Sequence, residues 1–398
     1  MSTRPALIMI VQLVASLLLA AVTGLAGYRI FETALKTAQT ENLHAYIQVR
    51  AEREQRIFED ARRLNRAAGE EFLHRMDALQ GQSVDDEFDR LFPSFGDGTR
   101  RSVPELFDGA ALPGGDFVFG VGAYLGDGDA MTEEQKRRYL AAFHTVRSVG
   151  EAYLGTFTNL YYFTADSRMV MFAPGREDRL AFYRFEAPAD FDLSTDGDDD
   201  LFDLQANPAG DMHCTRLSRL LYVNSGERAI TGCRQPVIAG RSSSGAFGSS
   251  IEMTEALASA VDLPPAHGVN MLFDREGAVI ARGPVAAGEE SRRQYAVDPA
   301  TIIDILNQDP RSFGVFATPE GSGIIAFSRI PGPNWVFVSL VDLDSMRKTA
   351  RFWAWSLFAV VLLSSLIFAA VRALVLRSYP PRKEAGSGEE VAALTEPA

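Results

Sequence analysis

The chain has 398 residues, a formal net charge of −13, hydrophobic residues at 46% and only two cysteines. This length allows two or three domains. The acidic balance argues against nucleic acid as a partner, because binding to phosphates requires a basic surface.

The first predicted element is a membrane helix at residues 6–28, after a short cytoplasmic N-terminus at residues 1–5. Ala6–Tyr28 contains no charged residue, and about 20 apolar helical residues cross a bilayer core. A cleaved signal peptide is the competing interpretation, because small residues cluster at Ala20–Gly27. The apolar run is longer than a usual signal sequence, which favours a retained helix.

A helix without interruption is predicted from Arg29 to about residue 80. Apolar residues recur there every three or four positions, which is typical of one helix face; they are Ile57, Ala61, Leu64, Ala68, Phe72, Met76 and Leu79. No proline or glycine occurs between Arg29 and Ala68. Two helices with a break near Gly69 are the alternative.

Residues 81–130 are rich in proline and glycine and are predicted to be mainly loops, with a strand at Asp116–Tyr124. Thr132 and Gln135 form a capping-box pattern at the start of a helix that ends near Leu154. Short helices are predicted to follow at Thr254–Ala260 and Pro299–Asn307. The remaining predicted elements are strands; they are Thr156–Thr164, Met169–Pro174, Leu220–Val223, Ala229–Pro236, Gly245–Ile251, Gly268–Phe273, Ala278–Arg282, Phe313–Ala317, Gly323–Arg329 and Trp335–Val341.

The two cysteines, Cys214 and Cys233, lie nineteen residues apart in the part of the chain expected outside the cell. We predict a disulfide bond between them; two buried free thiols are the alternative. The cysteines are not part of a CxxC motif, and no pair of histidines at zinc-binding spacing accompanies them, so no metal site is expected.

The acidic stretch at residues 186–203 lacks the spacing of a calcium-binding loop. It favours a solvated loop.

A second membrane helix is predicted at residues 351–376. Phe352–Val371 is uncharged and is preceded by Arg351, and Trp353 and Trp355 lie at its start, where indole rings favour the membrane boundary. Basic residues follow at Arg372, Arg377, Arg382 and Lys383 and indicate the cytoplasmic side. The chain is therefore expected in a bacterial inner membrane as a multi-pass protein with a periplasmic main domain. A buried helix of a soluble protein is the alternative, and residues 377–398 are predicted to be a disordered cytoplasmic tail.

The middle of the chain resembles the extracytoplasmic double Cache sensor domain. The stretch Ile230–Ile251 is similar to the closing strands of its first module. Val269–Pro284 is similar to the hairpin that opens the second module, and Ile330–Val341 to its terminal strand. The resemblance covers Arg29–Ala350.

The resemblance implies an α+β fold. A long N-terminal helix is expected to carry two PAS-like (Cache) antiparallel-sheet modules, a membrane-distal one at residues 81–264 and a membrane-proximal one at residues 265–350. Two transmembrane helices flank this domain.

The resemblance also implies that the distal module binds a small ligand of the amino acid, organic acid or amine class. The run Arg179–Tyr183 is similar to the motif with which part of the family holds a carboxylate, but it is one residue longer and lacks the tryptophan. Asn224 stands where the family has an aspartate that holds an amine. Arg179, Tyr183, Tyr222 and Asn224 are therefore expected ligand-binding residues. Tyr161 is a weaker candidate beside Tyr162, because only one of two successive strand residues can face the pocket.

No motif for catalysis is present, since the five histidines are scattered and no nucleophile elbow or P-loop occurs. We expect no enzyme activity and no cofactor. The leading hypothesis is a membrane sensor, expected to be a homodimer, that binds a solute and signals through the second membrane helix to a separate partner such as a kinase. Two alternatives stay open: a truncated or split sensor kinase or cyclase, and a structural protein similar to polysaccharide chain-length regulators.

Overall fold

The computed structural model describes residues 4–113, 115–127, 131–176, 180–193, 198–219, 229–240, 242–265, 268–284, 299–319 and 321–378. The chain divides into two compact units, one of residues 1–39 with 343–398 and one of residues 40–342. The helices are α1 Arg4–Ala78, α2 Asp85–Leu91, α3 Glu105–Asp108, α4 Glu133–Ala152, α5 Asp198–Phe202, α6 Thr254–Val261, α7 Pro299–Gln308 and α8 Asp344–Ser378, and a π-helical turn covers Phe182–Glu186.

Two antiparallel sheets contain most of the strands. The strands of the larger sheet are β1 Thr99–Arg101, β4 Val121–Asp127, β5 Leu160–Phe163, β6 Met169–Phe172, β7 His213–Cys214, β8 Ser218–Arg219, β9 Ala229–Ala239 and β10 Ser242–Glu252. Those of the smaller sheet are β11 Gly268–Phe273, β12 Val279–Arg282, β13 Phe313–Ala317, β14 Gly323–Ile330 and β15 Trp335–Asp342. A separate hairpin consists of β2 Ala110–Ala111 and β3 Phe117–Val118. The predicted α+β class, with a long helix and antiparallel sheets, is confirmed.

Helix α1 is continuous from Arg4 to Ala78, so the alternative of a break near Gly69 is wrong. A Cβ at Gly69 would make only ordinary contact with Val237, and nothing there forces the helix to bend. The predicted apolar face is confirmed in its centre, where Leu64, Ala68 and Phe72 are buried. This face anchors the larger sheet to α1.

The larger sheet has the strand order β1–β4–β6–β5–β10–β9–β7, and β8 also pairs with β9. One of its faces packs on α1 and α4. Phe72 of α1 stacks on Tyr162 of β5 at 5.0 Å between ring centroids and meets Phe247 of β10 edge-on at 5.7 Å. Gly150 of α4 lies directly against the ring of Phe172, since a Cβ at this position would come within 2.4 Å of a ring carbon. Burial of these aromatic rings stabilises the sheet on its helices.

The smaller sheet has the order β12–β11–β15–β14–β13. Its core contains the buried side chains Ile302 and Leu306 of α7, packed with Phe327 and Val338. Its contact with α1 includes Trp335, whose ring meets Phe58 at 5.5 Å. Helix α1 therefore packs against both sheets.

The junction between the sheets is held by an arginine of α1. The side chain of Arg50 is buried, and its Nη2 donates hydrogen bonds to the carbonyl oxygens of Ser259, at 3.0 Å, and Ala260 at the end of α6. The last carbonyls of a helix lack partners within it and carry the negative end of its dipole. Arg50 therefore caps the helix that connects the two sheets.

Two predicted elements differ in the structure. The strand expected at Asp116–Tyr124 is split into β3 and β4, because Gly120 adopts a φ of +65° against Pro174. The loop-rich segment 81–130 contains α2, whose buried Phe88 and Leu91 follow helical spacing.

The capping box is confirmed. The backbone amide of Gln135 donates to the Thr132 hydroxyl, and the backbone amide of Thr132 donates to the side-chain oxygen of Gln135. The predicted strand Leu220–Val223 and most of the predicted disordered tail lie outside the described residues.

Truncation of Phe72 to alanine should lower the free energy of unfolding by about 3–5 kcal/mol, because it removes a fully buried ring and leaves a cavity. Leu73→Ala is the matched control, since Leu73 is the next residue on α1 and is 39% exposed. Chemical unfolding of the full chain in detergent, followed by circular dichroism, measures both. Equal losses in the two variants would contradict the packing of Phe72.

Burial raises the pKa of Glu54, and the charges of Arg53 and Arg50 oppose this effect only in part. Since the folded pKa lies above the unfolded one, the ionised carboxylate costs stability, and this cost is absent below the unfolded pKa. As the pH rises from about 4 to 7, the wild type should lose stability relative to Glu54→Gln. Unfolding curves measured across this pH range test the prediction, with Glu52→Gln, at an exposed position, as the control. If the wild type loses as much stability with pH relative to Glu52→Gln as it does relative to Glu54→Gln, the prediction is wrong.

Candidate functional site

The candidate site lies on the face of the larger sheet that points away from α1 and α4. Side chains alternate between the two faces along β5. Tyr162 packs against Phe72 of α1, whereas Tyr161 and Phe163 belong to a buried cluster on the opposite face, together with Tyr124, Met171 and Tyr183. We call this opposite face, around Tyr161 and Phe163, the aromatic face.

One row of residues crosses the aromatic face in register. Tyr161 of β5 pairs with Gly248 of β10, which pairs with Arg234 of β9. A Cβ at Gly248 would lie 2.5 Å from the Tyr161 ring, and one at Gly232 would lie 2.9 Å from its hydroxyl. The two glycines therefore leave the space in which the phenol lies across the sheet toward Arg234.

Arg234 is half-buried and contacts two of the three aromatic residues of β5, Tyr161 and Phe163. Its Nε donates a hydrogen bond to the Tyr161 hydroxyl at 3.2 Å, and its guanidinium carbon lies 4.6 Å from the centre of the Phe163 ring. A guanidinium held by a ring and a hydroxyl keeps a fixed orientation, and its planar fork suits a carboxylate.

The π-helical turn Phe182–Glu186 and the segment after it cover part of the aromatic face. Tyr183 is buried there, and its ring lies 6.1 Å from that of Phe191. Phe191 also contacts Phe182, at 5.2 Å, and Tyr124, at 6.1 Å. The Tyr124 hydroxyl lies 2.9 Å and 2.8 Å from the carbonyl oxygens of Pro188 and Ala189, its two acceptors. This segment is thus fixed to the sheet by both ring packing and hydrogen bonds.

A second arginine lies at the edge of the same face. Arg101 of β1 is buried, and its Nη2 donates to Asp97 and to the carbonyl oxygen of Ala187, both at 2.6 Å. Burial acts to raise the pKa of Asp97, but hydrogen bonds from Thr99 and the charge of Arg101 outweigh it and keep the pKa below its usual value. Asp97 therefore stays ionised and holds the Arg101 guanidinium in place.

Three of the predicted ligand-binding residues, Arg179, Tyr222 and Asn224, lie outside the described residues. The structure places the other two, Tyr161 and Tyr183, in one buried cluster on the aromatic face. Their role in binding stays a prediction. The predicted disulfide is confirmed, because Cys214 and Cys233 are bonded across the paired strands β7 and β9.

Sequence reasoning missed Arg234 and Arg101. A signal for Arg234 was present in the alternation Gly232–Cys233–Arg234, which places a small residue and a cation on one face of a strand. No comparable signal distinguishes Arg101 from its neighbour Arg100 in the sequence.

Within the described ranges, no group of three or more histidine, cysteine, aspartate or glutamate side chains could hold a metal ion. In the acidic stretch, residues 198–202 form helix α5, and Asp192 accepts a hydrogen bond from the Ser167 hydroxyl at 2.8 Å. Arg234, Tyr161 and the neighbouring rings can offer hydrogen bonds and ring stacking to a solute.

A second cleft, of about 410 Å³, lies between the two sheets. Its lining includes Cys214 and Arg216 from the larger sheet region, and Glu276 and Trp335 from the smaller one. Arg216 and Glu276 form an ion pair at 2.9 Å across it. Both side chains are substantially exposed, so this pair contributes little to stability.

No family model matches the chain. A search of curated proteins also gave no match.

Several solved structures are similar to the chain. The sensory domain of the Campylobacter jejuni chemoreceptor Tlp3 is 13% identical, with a TM-score of 0.42, and the match covers 80% of this chain and 99% of that domain. The ligand-binding domain of the Pseudomonas aeruginosa amino acid chemoreceptor PctB, in complex with L-Gln, is 13% identical, with a TM-score of 0.37 and coverage of 77% and 92%. That of the Pseudomonas fluorescens chemoreceptor CtaA, in complex with L-serine, is 16% identical, with a TM-score of 0.30 and coverage of 52% and 80%. All three matched structures are sensory or ligand-binding domains of chemoreceptors.

Proposed function

We propose that this protein is a membrane-anchored sensor that binds a small solute on the aromatic face of its larger sheet. The solute carries a carboxylate, as amino acids and organic acids do. Binding is transmitted through the second membrane helix, α8, to a separate output protein such as a kinase. The observation that carries this proposal is the contact of Arg234 with Tyr161 and Phe163.

The aromatic face suits such a solute for two reasons. Aromatic and apolar side chains supply a surface that excludes water, and a few polar groups at fixed positions orient the ligand. Arg234 offers a planar cation next to the Tyr161 hydroxyl, at 3.2 Å, which matches the oxygens of a carboxylate. Tyr183, Arg179, Tyr222 and Asn224 remain the further binding residues expected from the sequence resemblance.

Anchoring in the membrane is supported by the apolar surfaces of α1 and α8. Large apolar side chains stand exposed on both helices, among them Leu18 and Val22 of α1 and Leu363 and Phe368 of α8. Both helices are long and apolar enough to cross a bilayer. An exposed apolar surface of this length is stable only in contact with lipid or protein, so we place the two helices in a membrane. We place the sensor domain outside the cytoplasm, as the sequence analysis expects.

We infer that the output chemistry belongs to another protein, because no catalytic arrangement has been identified in the described part of the chain. A homodimer is the assembly we expect for the sensor. A dimer would bring two copies of α8 to one partner.

A thermal-shift screen of the full chain in detergent tests the ligand. Amino acids form the first set, with organic acids and amines as the other sets. A compound with a carboxylate should raise the melting temperature in a concentration-dependent manner, because a ligand that binds only the folded state stabilises it. If only amines without a carboxylate stabilise the protein, the proposed chemistry of the site is wrong.

Two variants test the place of binding. Arg234→Gln should weaken binding of the identified compound about tenfold or more, since hydrogen bonds to charged groups contribute about 1.5–3 kcal/mol. Arg63→Gln, at a position of α1 whose side chain is 71% exposed, removes the same charge and should leave affinity unchanged. Titration calorimetry measures the affinities, and circular dichroism checks the fold. Unchanged binding by a folded Arg234→Gln variant would place the site elsewhere.

A further inference from the structure

Helices α1 and α8 pack against each other within the unit of residues 1–39 and 343–398. Small residues allow a close approach, because Gly27 lies against Leu357 and Gly24 against Phe358. Farther along, Phe31 contacts Trp353 at 6.4 Å and Glu32 pairs with Arg347 at 3.5 Å. The two helices therefore run antiparallel, and Tyr28 lies at the same end of the pair as Arg351.

A groove of about 560 Å³ lies along this helix pair. Its walls are mainly apolar: Ala21, Gly24 and Leu25 come from α1, and Ala354, Trp355 and Phe358 come from α8. Tyr28 and Arg351 complete the lining at the end where the apolar stretches stop. The groove thus combines an apolar floor with a cation and a phenol at one end.

The charge around that end is opposite to the charge of the whole protein. The chain carries a net charge of −13. In contrast, the segments 29–36 and 344–351, directly outside the apolar stretches, contain two acidic side chains and the five basic ones Arg29, Lys36, Arg347, Lys348 and Arg351.

Three of these cations form no ion pair with any of the described residues. Glu32 and Asp344 both pair with Arg347, at 3.5 Å and 3.1 Å. Arg29, Lys348 and Arg351 form no ion pair within the described part of the chain. An anion at this position would meet a local excess of positive charge.

We propose that this groove binds an anionic phospholipid, with the phosphate on Arg351 and Tyr28 and an acyl chain along the apolar floor. The attraction between a basic side chain and an anionic head group is stronger at the edge of a low-dielectric membrane than in bulk water. Lys348, which forms no ion pair with the described residues, disfavours the additional positive charge of a zwitterionic head group. This inference depends on the membrane-spanning part of the proposed function and goes beyond it.

The test uses the full chain in detergent with phosphatidylglycerol, phosphatidylcholine or inorganic phosphate as the probe. Native mass spectrometry measures the lipid affinity. Phosphatidylglycerol should bind about tenfold more tightly than phosphatidylcholine, and inorganic phosphate should not displace it. Equal affinity for both lipids, or displacement by inorganic phosphate, would overturn the proposal.

Variants locate the phosphate and the acyl chain separately. Arg351→Gln should reduce affinity about tenfold, whereas the matched control Arg29→Gln, at the same boundary but outside the groove, should change it less than about twofold. Ala21→Leu fills the groove without a change in charge and should also weaken binding. Equal effects of Arg351→Gln and Arg29→Gln would indicate only a diffuse attraction and refute a specific site.

Two further outcomes are distinguishable. A detergent-stable dimer without bound lipid, which Ala21→Leu separates, would show that a second copy fills the groove and would overturn the lipid proposal. Washing membranes with alkaline carbonate tests the anchoring separately, because it releases proteins that do not span the bilayer. Release of the wild-type protein would refute both, and retention without lipid preference would refute the lipid site alone.

Discussion

The hydrogen bonds from Arg50 to the end of α6 connect all parts of the sensor domain. Arg50 belongs to the helix that both sheets pack against, and α6 is the connection between those sheets. A buried guanidinium without its acceptors would cost several kcal/mol, so the arrangement of α1, α6 and the smaller sheet is strongly fixed. Tyr46 and Asn270 extend this network, with a hydrogen bond of 2.8 Å from the amide to the phenol. The smaller sheet is therefore a rigid neighbour of α1.

The larger sheet has a different construction on its two faces. One face is filled by aromatic rings from α1 and the sheet itself, such as Phe72 and Tyr162. The other lacks side chains at Gly232 and Gly248 and has Tyr161 lying over them. Over these two glycines the backbone is covered by Tyr161 and Arg234, whereas buried side chains such as Phe163 fill the rest of this face. The proposed solute site therefore lies where the glycines leave room beside Arg234.

Much of the fold could be predicted from the sequence, because β11, β13 and β15 show β-rich runs between clear turn residues, and α1 has a regular apolar face. The strand β1 and helix α2 were missed, since each is too short to show a period. The candidate site was predicted only in part. Tyr161 and Tyr183 could be named from a strand pattern and a resemblance, whereas the contact of Tyr161 with Arg234 depends on strand pairing over 73 residues of sequence.

The contacts of α1 also set conditions for how the protein is made. Tyr46 bonds to Asn270, 224 residues later in the chain, and Arg50 to Ala260, 210 residues later. At roughly 5–20 residues per second of synthesis, the sensor part of α1 remains without these partners for roughly 10–45 s. During that time Tyr46 and Arg50 lack their native hydrogen-bond partners. An amphipathic helix in this state exposes apolar surface, which chaperones can shield until the later strands emerge.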